Sequence, residues 1–278
     1  MNKYRPYVLP VLLPTLFVAA YWPVVYWFAL RIRHSAQDSS EVFALALAAG
    51  LMFLRRQKMG EPAKIAGMLV PAIVGTLVYA ALYPWLLDEV QGVLMATTGA
   101  LLLSPLWLGK RYSLGLHGLL LLAQPLIPVF QYQLGYPLRA TCAKLAAGLL
   151  QLGQLDVSAN GTALEWAGNS VYVDAPCSGI RMLWSGMLLT FALAMILDLG
   201  TLKTIALAVT AFASILMANA LRASALFYLE SGLIKGPAWM HEGVGLVSFG
   251  FVGVTLLGLT VRLSRAQNRP IQEVSCAA

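Results

Sequence analysis

Three residues of complementary chemistry stand at the openings of, or within, the last apolar runs of this 278-residue chain: Cys177, Arg222 and His241. Cys177 belongs to Val171-Tyr-Val-Asp-Ala-Pro-Cys177-Ser-Gly-Ile-Arg181, a polar passage that leads straight into a long apolar stretch. A cysteine at a helix start feels the positive end of the helix dipole, and Arg181 follows one turn on, so both favour thiolate over thiol. Asn219-Ala-Leu-Arg222 lies inside the next apolar run, where an arginine must be paired or face a wet cavity. His241-Glu242-Gly243 opens the run after that. Such a set is suited to acyl transfer. Cys177 would attack a carbonyl, His241 would take the thiol proton and return it to a leaving amine, and Arg222 would stabilise the oxyanion or hold the substrate backbone.

Three neighbours are supporting candidates. Asn219, one turn from Arg222, could hydrogen-bond the guanidinium or the imidazole; Glu242 could orient His241, although adjacent helical residues point in different directions. Arg181 could lower the thiol pKa or bind interfacial phosphate, and Asp174 suits a loop or cap. Ordinary roles compete at each position: Cys177 as core packing, Arg222 paired with Glu230 or an aromatic face, His241 as a helix-start residue. A rival of another class is a transporter or non-catalytic membrane scaffold in which Arg222 serves as an anion site. A transporter predicts related halves with interrupted helices near the midplane, and the sequence carries no convincing internal repeat.

The elements that must position these groups are membrane helices. The chain is 59% hydrophobic and 11% charged, with mean hydropathy +0.73, far from the roughly one-quarter charged residues of soluble domains. Its formal charge of +7 sits in short groups between apolar runs, where it signals topology, so nucleic-acid binding is discarded. A bilayer core needs roughly 20 apolar residues per helix. By that measure the sequence predicts about eight spans, at 7–30, 41–54, 64–87, 90–109, 112–134, 178–199, 203–229 and 241–262, the second being the shortest. The run from Tyr7 to Leu30 is too long for a signal-peptide core and reads as a retained first span. Lys3, Arg5, Arg55, Arg56, Lys58, Lys64, Lys110, Arg111, Lys203, Arg262, Arg265 and Arg269 then gather on one side, against Arg31 and Arg33 on the other. The bias predicts both termini in the cytoplasm, with Cys177, the outer part of the 203–229 span and His241 at the outer face.

One segment, 135–176, interrupts the spans. Leu138, Cys142, Leu145, Leu149 and Leu152 recur at helical spacing among Arg139, Lys144, Gln151 and Gln154, the pattern of an interfacial helix with Cys142 on its apolar stripe. Alternation follows, broken at Asn160-Gly161 and Gly168-Asn169, which predicts a β-hairpin unit of three short strands delivering the chain to Cys177. The whole is expected to be a single all-α polytopic domain over 1–278, with an extracytoplasmic insertion at 135–176 and a catalytic bundle at 177–262. His117, between Gly115 and Gly118, has no acidic residue one turn away and reads as a packed, neutral histidine. The three cysteines, 142, 177 and 276, show no CxxC and no zinc spacing, so neither a metal nor a cofactor is expected.

Asp174-Ala-Pro-Cys177-Ser-Gly-Ile-Arg181, Asn219-Ala-Leu-Arg222 and His241-Glu-Gly-Val-Gly245 together resemble the three signature blocks of the exosortase/archaeosortase family. The resemblance is strong over about 138–262, including the amphipathic helix and hairpin before the cysteine, and rests on apolarity alone over the first five spans. It implies a membrane cysteine protease and transpeptidase acting on exported proteins. Their C-terminal sorting signal would carry a short motif such as Pro-Glu-Pro, a transmembrane helix and a basic tail. It also implies a prokaryotic cytoplasmic membrane, with membrane lipids as further partners. By position, Cys177 matches the family's proposed nucleophile, Arg222 its arginine and His241 its histidine; Asn219, Arg181 and Glu242 carry over with less force.

Overall fold

The structure, a computed structural model, describes residues 5–34, 40–55, 62–173, 179–237 and 239–267. Ten α-helices, a short 3-10 helix at Tyr83–Trp85 and one small sheet make up the regular structure of the described residues. In order they are α1 (Arg5–Ala20), α2 (Trp22–His34), α3 (Ser40–Leu54), α4 (Pro62–Leu82), α5 (Asp88–Leu108), α6 (Leu114–Leu122), α7 (Ile127–Leu152), β1 (Ser158–Asn160), β2 (Ala163–Trp166), β3 (Asn169–Tyr172), α8 (Ile180–Ile196), α9 (Thr201–Glu230) and α10 (Trp239–Gln267). The class is as expected, but the span pattern differs. Three helices, α5, α9 and α10, are long and apolar enough to cross a membrane, and the number rises to five when two bent pairs are each taken as one span.

The departures have local causes. The expected first span divides at Tyr21, where α1 and α2 bend by 76° just before Pro23, a residue that cannot donate a helical N–H. The expected fifth span, 112–134, breaks at Gln124-Pro125: α6 is only nine residues long and α7 departs from it at 93°. Pro125 and Pro128 flank the break, and the residue before a proline is disfavoured in the helical region. Thus the helix expected from residue 138 begins instead at Ile127. The helix α3, with 15 residues, and α8, with 17, are short for a span.

One end of the bundle is fixed by charge. Asp198, in the α8–α9 turn at φ +58°, accepts from Arg55 Nη1 at 2.8 Å and pairs with Lys110 Nζ at 2.7 Å. Arg55 also donates to the Ile196 carbonyl, and Lys110 to the Asp198 carbonyl at 3.2 Å. Nearby in sequence, Lys203 at the start of α9 donates to the Leu263 carbonyl near the end of α10. The ends of α3, α5, α8 and α10 and the starts of α6 and α9 therefore belong to one face. The opposite face carries the start of α8, the end of α9 and the start of α10.

Small residues let the helices approach. Gly115 and Gly118 of α6 receive Met195 and Phe191 of α8 directly against their backbone, and Trp184 Nε1 donates to the Leu122 carbonyl at the end of α6. His117 is held by Thr97 Oγ1 at 3.1 Å and by the Tyr112 hydroxyl. The sheet is antiparallel in the order β1-β2-β3. Gly161 (φ +59°) takes the first central position of the first turn, as in a type II′ turn. Ala167 (φ +49°) and Gly168 (φ +79°) form the second, with the paired positive φ of a type I′ turn. Val157, Leu164 and Val173 are buried against Cys142, Ala146 and Leu150 of α7 and Ala220 and Phe227 of α9, so the sheet is seated on the C-terminal half of α9.

Candidate active site

Arg222 and Asn219 share the C-terminal half of α9, one turn apart, and each touches a different neighbouring helix. Asn219 is buried, 3% exposed. Its amide Nδ2 donates to Cys142 Sγ of α7 at 3.3 Å. On its other side it meets Gly179, the residue that caps α8: a Cβ built on Gly179 would stand 3.0 Å from Asn219 Nδ2. Gly179 has φ +76°, a left-handed conformation that glycine adopts without the cost a Cβ would add. Gly179 thus opens α8 in a left-handed conformation, pressed against the Asn219 amide.

Arg222 faces α10. Its guanidinium lies over Gly245, where a Cβ would stand 3.6 Å from Nε and 3.7 Å from Cζ. The Nε is buried and has no hydrogen-bond partner among the described residues. An unsatisfied buried donor is expensive. His241 precedes Gly245 by four residues on α10, which puts both on one helix face a turn apart, with His241 nearer the rim. His241 and Glu242 are both exposed in the first turn of α10. Arg181, in the first turn of α8, is also exposed. Cys177 and Asp174 lie outside the described residues.

The structure therefore gathers the three sequence blocks at one face of the bundle: the second through Asn219 and Arg222, the first through Gly179, the third through Gly245. Two contacts have no sequence signal. Pairing of Asn219 with Cys142 joins residues 77 apart, and Gly245 was legible only as part of a motif, not as the seat of a guanidinium. Beside these contacts an apolar groove of about 510 Å³ opens between α9 and α10, lined among others by Leu221, Ala225, Trp239, Gly243 and Val247. No group of three or more His, Cys, Asp or Glu residues able to hold a metal occurs among the described residues.

The model of the transmembrane exosortase family matches residues 12–258. The chain belongs to that family. The match takes in all three sequence blocks and extends through the first spans, which the motifs by themselves did not reach. No curated protein and no solved structure matches the chain. As an exosortase-family membrane protein it falls in a class that suggests peptidase or transpeptidase chemistry.

Proposed function

We propose that this exosortase-family protein is a cysteine peptidase and transpeptidase that removes C-terminal sorting signals from exported proteins at the outer face of a prokaryotic cytoplasmic membrane. Cys177 Sγ attacks the scissile carbonyl as His241 accepts its proton; the tetrahedral oxyanion collapses to a thioester while His241 returns the proton to the departing amine. Water or an amine then attacks the thioester, a proton passes through His241, and the thiol is restored. Arg222 supplies the cation for the oxyanion or for a substrate carbonyl, Asn219 and Arg181 are supporting groups around the α8 entry, and Glu242 stands beside the imidazole.

The observation that carries this reading is the convergence on α9. Arg222 has a buried Nε, unpartnered among the described residues, beside the helix that bears His241, and Asn219 contacts Gly179, two residues after Cys177. Two residues of chain reach at most about 7 Å, which keeps the Cys177 backbone within range of that contact. The substrate is expected to bring a short motif, an apolar helix and a basic tail. Its helix approaches laterally through the bilayer, leaving the motif at the rim and the tail at the Arg55 face. Co-expression of such a substrate with a Cys177→Ala variant tests the reading. The variant should insert normally and leave the substrate full length; normal processing by a well-expressed variant overturns the assignment.

A further inference from the structure

At the same face as Gly179, but in the N-terminal half, a small pocket of about 50 Å³ is bordered by Arg31 of α2, Glu41 of α3 and the α6–α7 break at Pro125 and Pro128. Glu41 is 6% exposed and receives a hydrogen bond from Ser40 Oγ at 3.3 Å. No cation pairs with it among the described residues, although burial of an uncompensated carboxylate is strongly unfavourable. Arg31 lies 3.8 Å from Glu89 and 5.8 Å from the Trp27 ring centroid, yet its Nε is buried with no hydrogen-bond partner among the described residues. One pocket thus presents a guanidinium and a carboxylate that are each incompletely answered and do not pair with each other.

Phe28 lines this pocket and also a second cavity behind it. That cavity holds about 310 Å³ and is bounded by the α1–α2 bend and by α3, α5 and α6; its lining is almost wholly apolar, with Phe17, Val25, Leu45, Met95 and Leu120 among its walls. Gln124 lies at the junction, one residue from Pro125, and its side-chain oxygen is buried with no partner among the described residues. The volume is at the lower end of small-molecule sites, roughly 300 to 1,000 Å³. A charged mouth of both signs, a polar amide and an apolar interior follow one another in the order of a zwitterionic lipid.

We propose that this pocket binds one phospholipid with a phosphoethanolamine headgroup, its phosphate on Arg31, its ammonium on Glu41 and an acyl chain in the cavity at the α1–α2 bend. A primary ammonium can donate three hydrogen bonds to Glu41, whereas a quaternary choline cannot donate any. A phosphoglycerol head would answer Arg31 and leave the Glu41 carboxylate uncompensated. The site is separate from the Arg222 and His241 contacts, and its occupancy does not depend on catalysis.

The full chain, purified in mild detergent and exchanged into nanodiscs of phosphatidylcholine doped with a trace of labelled lipid, provides the test by retention after delipidation and by native mass spectrometry. Wild-type protein should retain one phosphatidylethanolamine in preference to phosphatidylglycerol or phosphatidylcholine. Loss of a charge-assisted contact should weaken that retention by about tenfold in Glu41→Gln, and the preference over phosphatidylglycerol should vanish. Arg31→Gln should weaken phosphatidylethanolamine and phosphatidylglycerol alike. Equal retention of the three lipids by wild-type protein overturns the proposal whatever the variants do, as does an unchanged preference in folded Glu41→Gln.

Discussion

The guanidinium of Arg222 rests on Gly245, with Nε 3.6 Å and Nη2 3.9 Å from the place a Cβ would occupy. The contact is ordinary van der Waals spacing, so an alanine should fit where a branched side chain would push the guanidinium away. Gly245→Ala should therefore process a co-expressed substrate nearly as wild type does. Gly245→Val should lower the processing rate by about 10²-fold, the scale of losing an oxyanion donor. Equal activity of the two variants would detach Arg222 from the reaction.

Gly179 couples backbone conformation to the Asn219 amide. Gly179→Ala adds a left-handed non-glycine residue, costing roughly 1–2 kcal/mol, and sets a Cβ 3.0 Å from Nδ2. Thermal unfolding in detergent should fall in that variant, with processing lost. Asn219→Ala in the same background should recover part of the stability by removing the amide, but not the activity. A double-mutant cycle with no coupling would contradict the contact.

Asp198 holds Arg55 and Lys110 while standing at φ +58°. Its side chain is 35% exposed, so its ion pairs contribute on the surface scale, about 1 kcal/mol together. Asp198→Ala loses the pairs and keeps a Cβ at the left-handed φ, whereas Asp198→Gly loses the pairs and relieves that backbone cost. The melting temperature should be lowest for Ala, Gly should recover much of the loss, and high salt should lower wild type relative to both variants.

Thiol reactivity separates a peptidase from an anion transporter with an incidental cysteine. Cys142 is buried, 1% exposed, so in a Cys276→Ser background an impermeant alkylating reagent should report on Cys177. Labelling should be faster than for an ordinary thiol at neutral pH and should slow when His241 or Arg222 is replaced by Ala. Slow labelling that rises only at alkaline pH and ignores both replacements would favour the transporter.

Sidedness is tested at two exposed positions. Ser170 lies on β3, at the face of the α8 start, and Arg111 adjoins Lys110 at the face of the Asp198 cluster. In a Cys177→Ala, Cys276→Ser background, an impermeant thiol reagent added to intact cells should label Ser170→Cys and spare Arg111→Cys. The reverse pattern would place the Cys177 segment in the cytoplasm.

Much of this architecture could be read from local chemistry. The apolar runs, the three blocks around Cys177, Arg222 and His241, the Asn160-Gly161 turn and the amphipathic stripe through Cys142 all express short-range preferences: burial of apolar area, helix periodicity and positive φ at glycine. Asp198 was also within reach in principle, since a residue between Leu197 and Leu199-Gly200 at a helix end can take a left-handed turn. What periodicity misjudged was continuity. Both broken runs remain apolar across Tyr21-Trp22-Pro23 and Gln124-Pro125, so hydropathy sees one span where proline chemistry makes two helices.

The sequence by itself determined a membrane-embedded helical protein, its family, and which side chains are the candidates for the chemistry, because each is written in residue type and short spacing. Only the tertiary structure decided that Asn219 answers Cys142 and Gly179, that Arg222 turns to Gly245 with its Nε unpartnered among the described residues, and that Arg31 and Glu41 border one pocket without pairing. Those outcomes depend on how distant helices cross and rotate against one another, and no local pattern specifies the partner of a buried polar group.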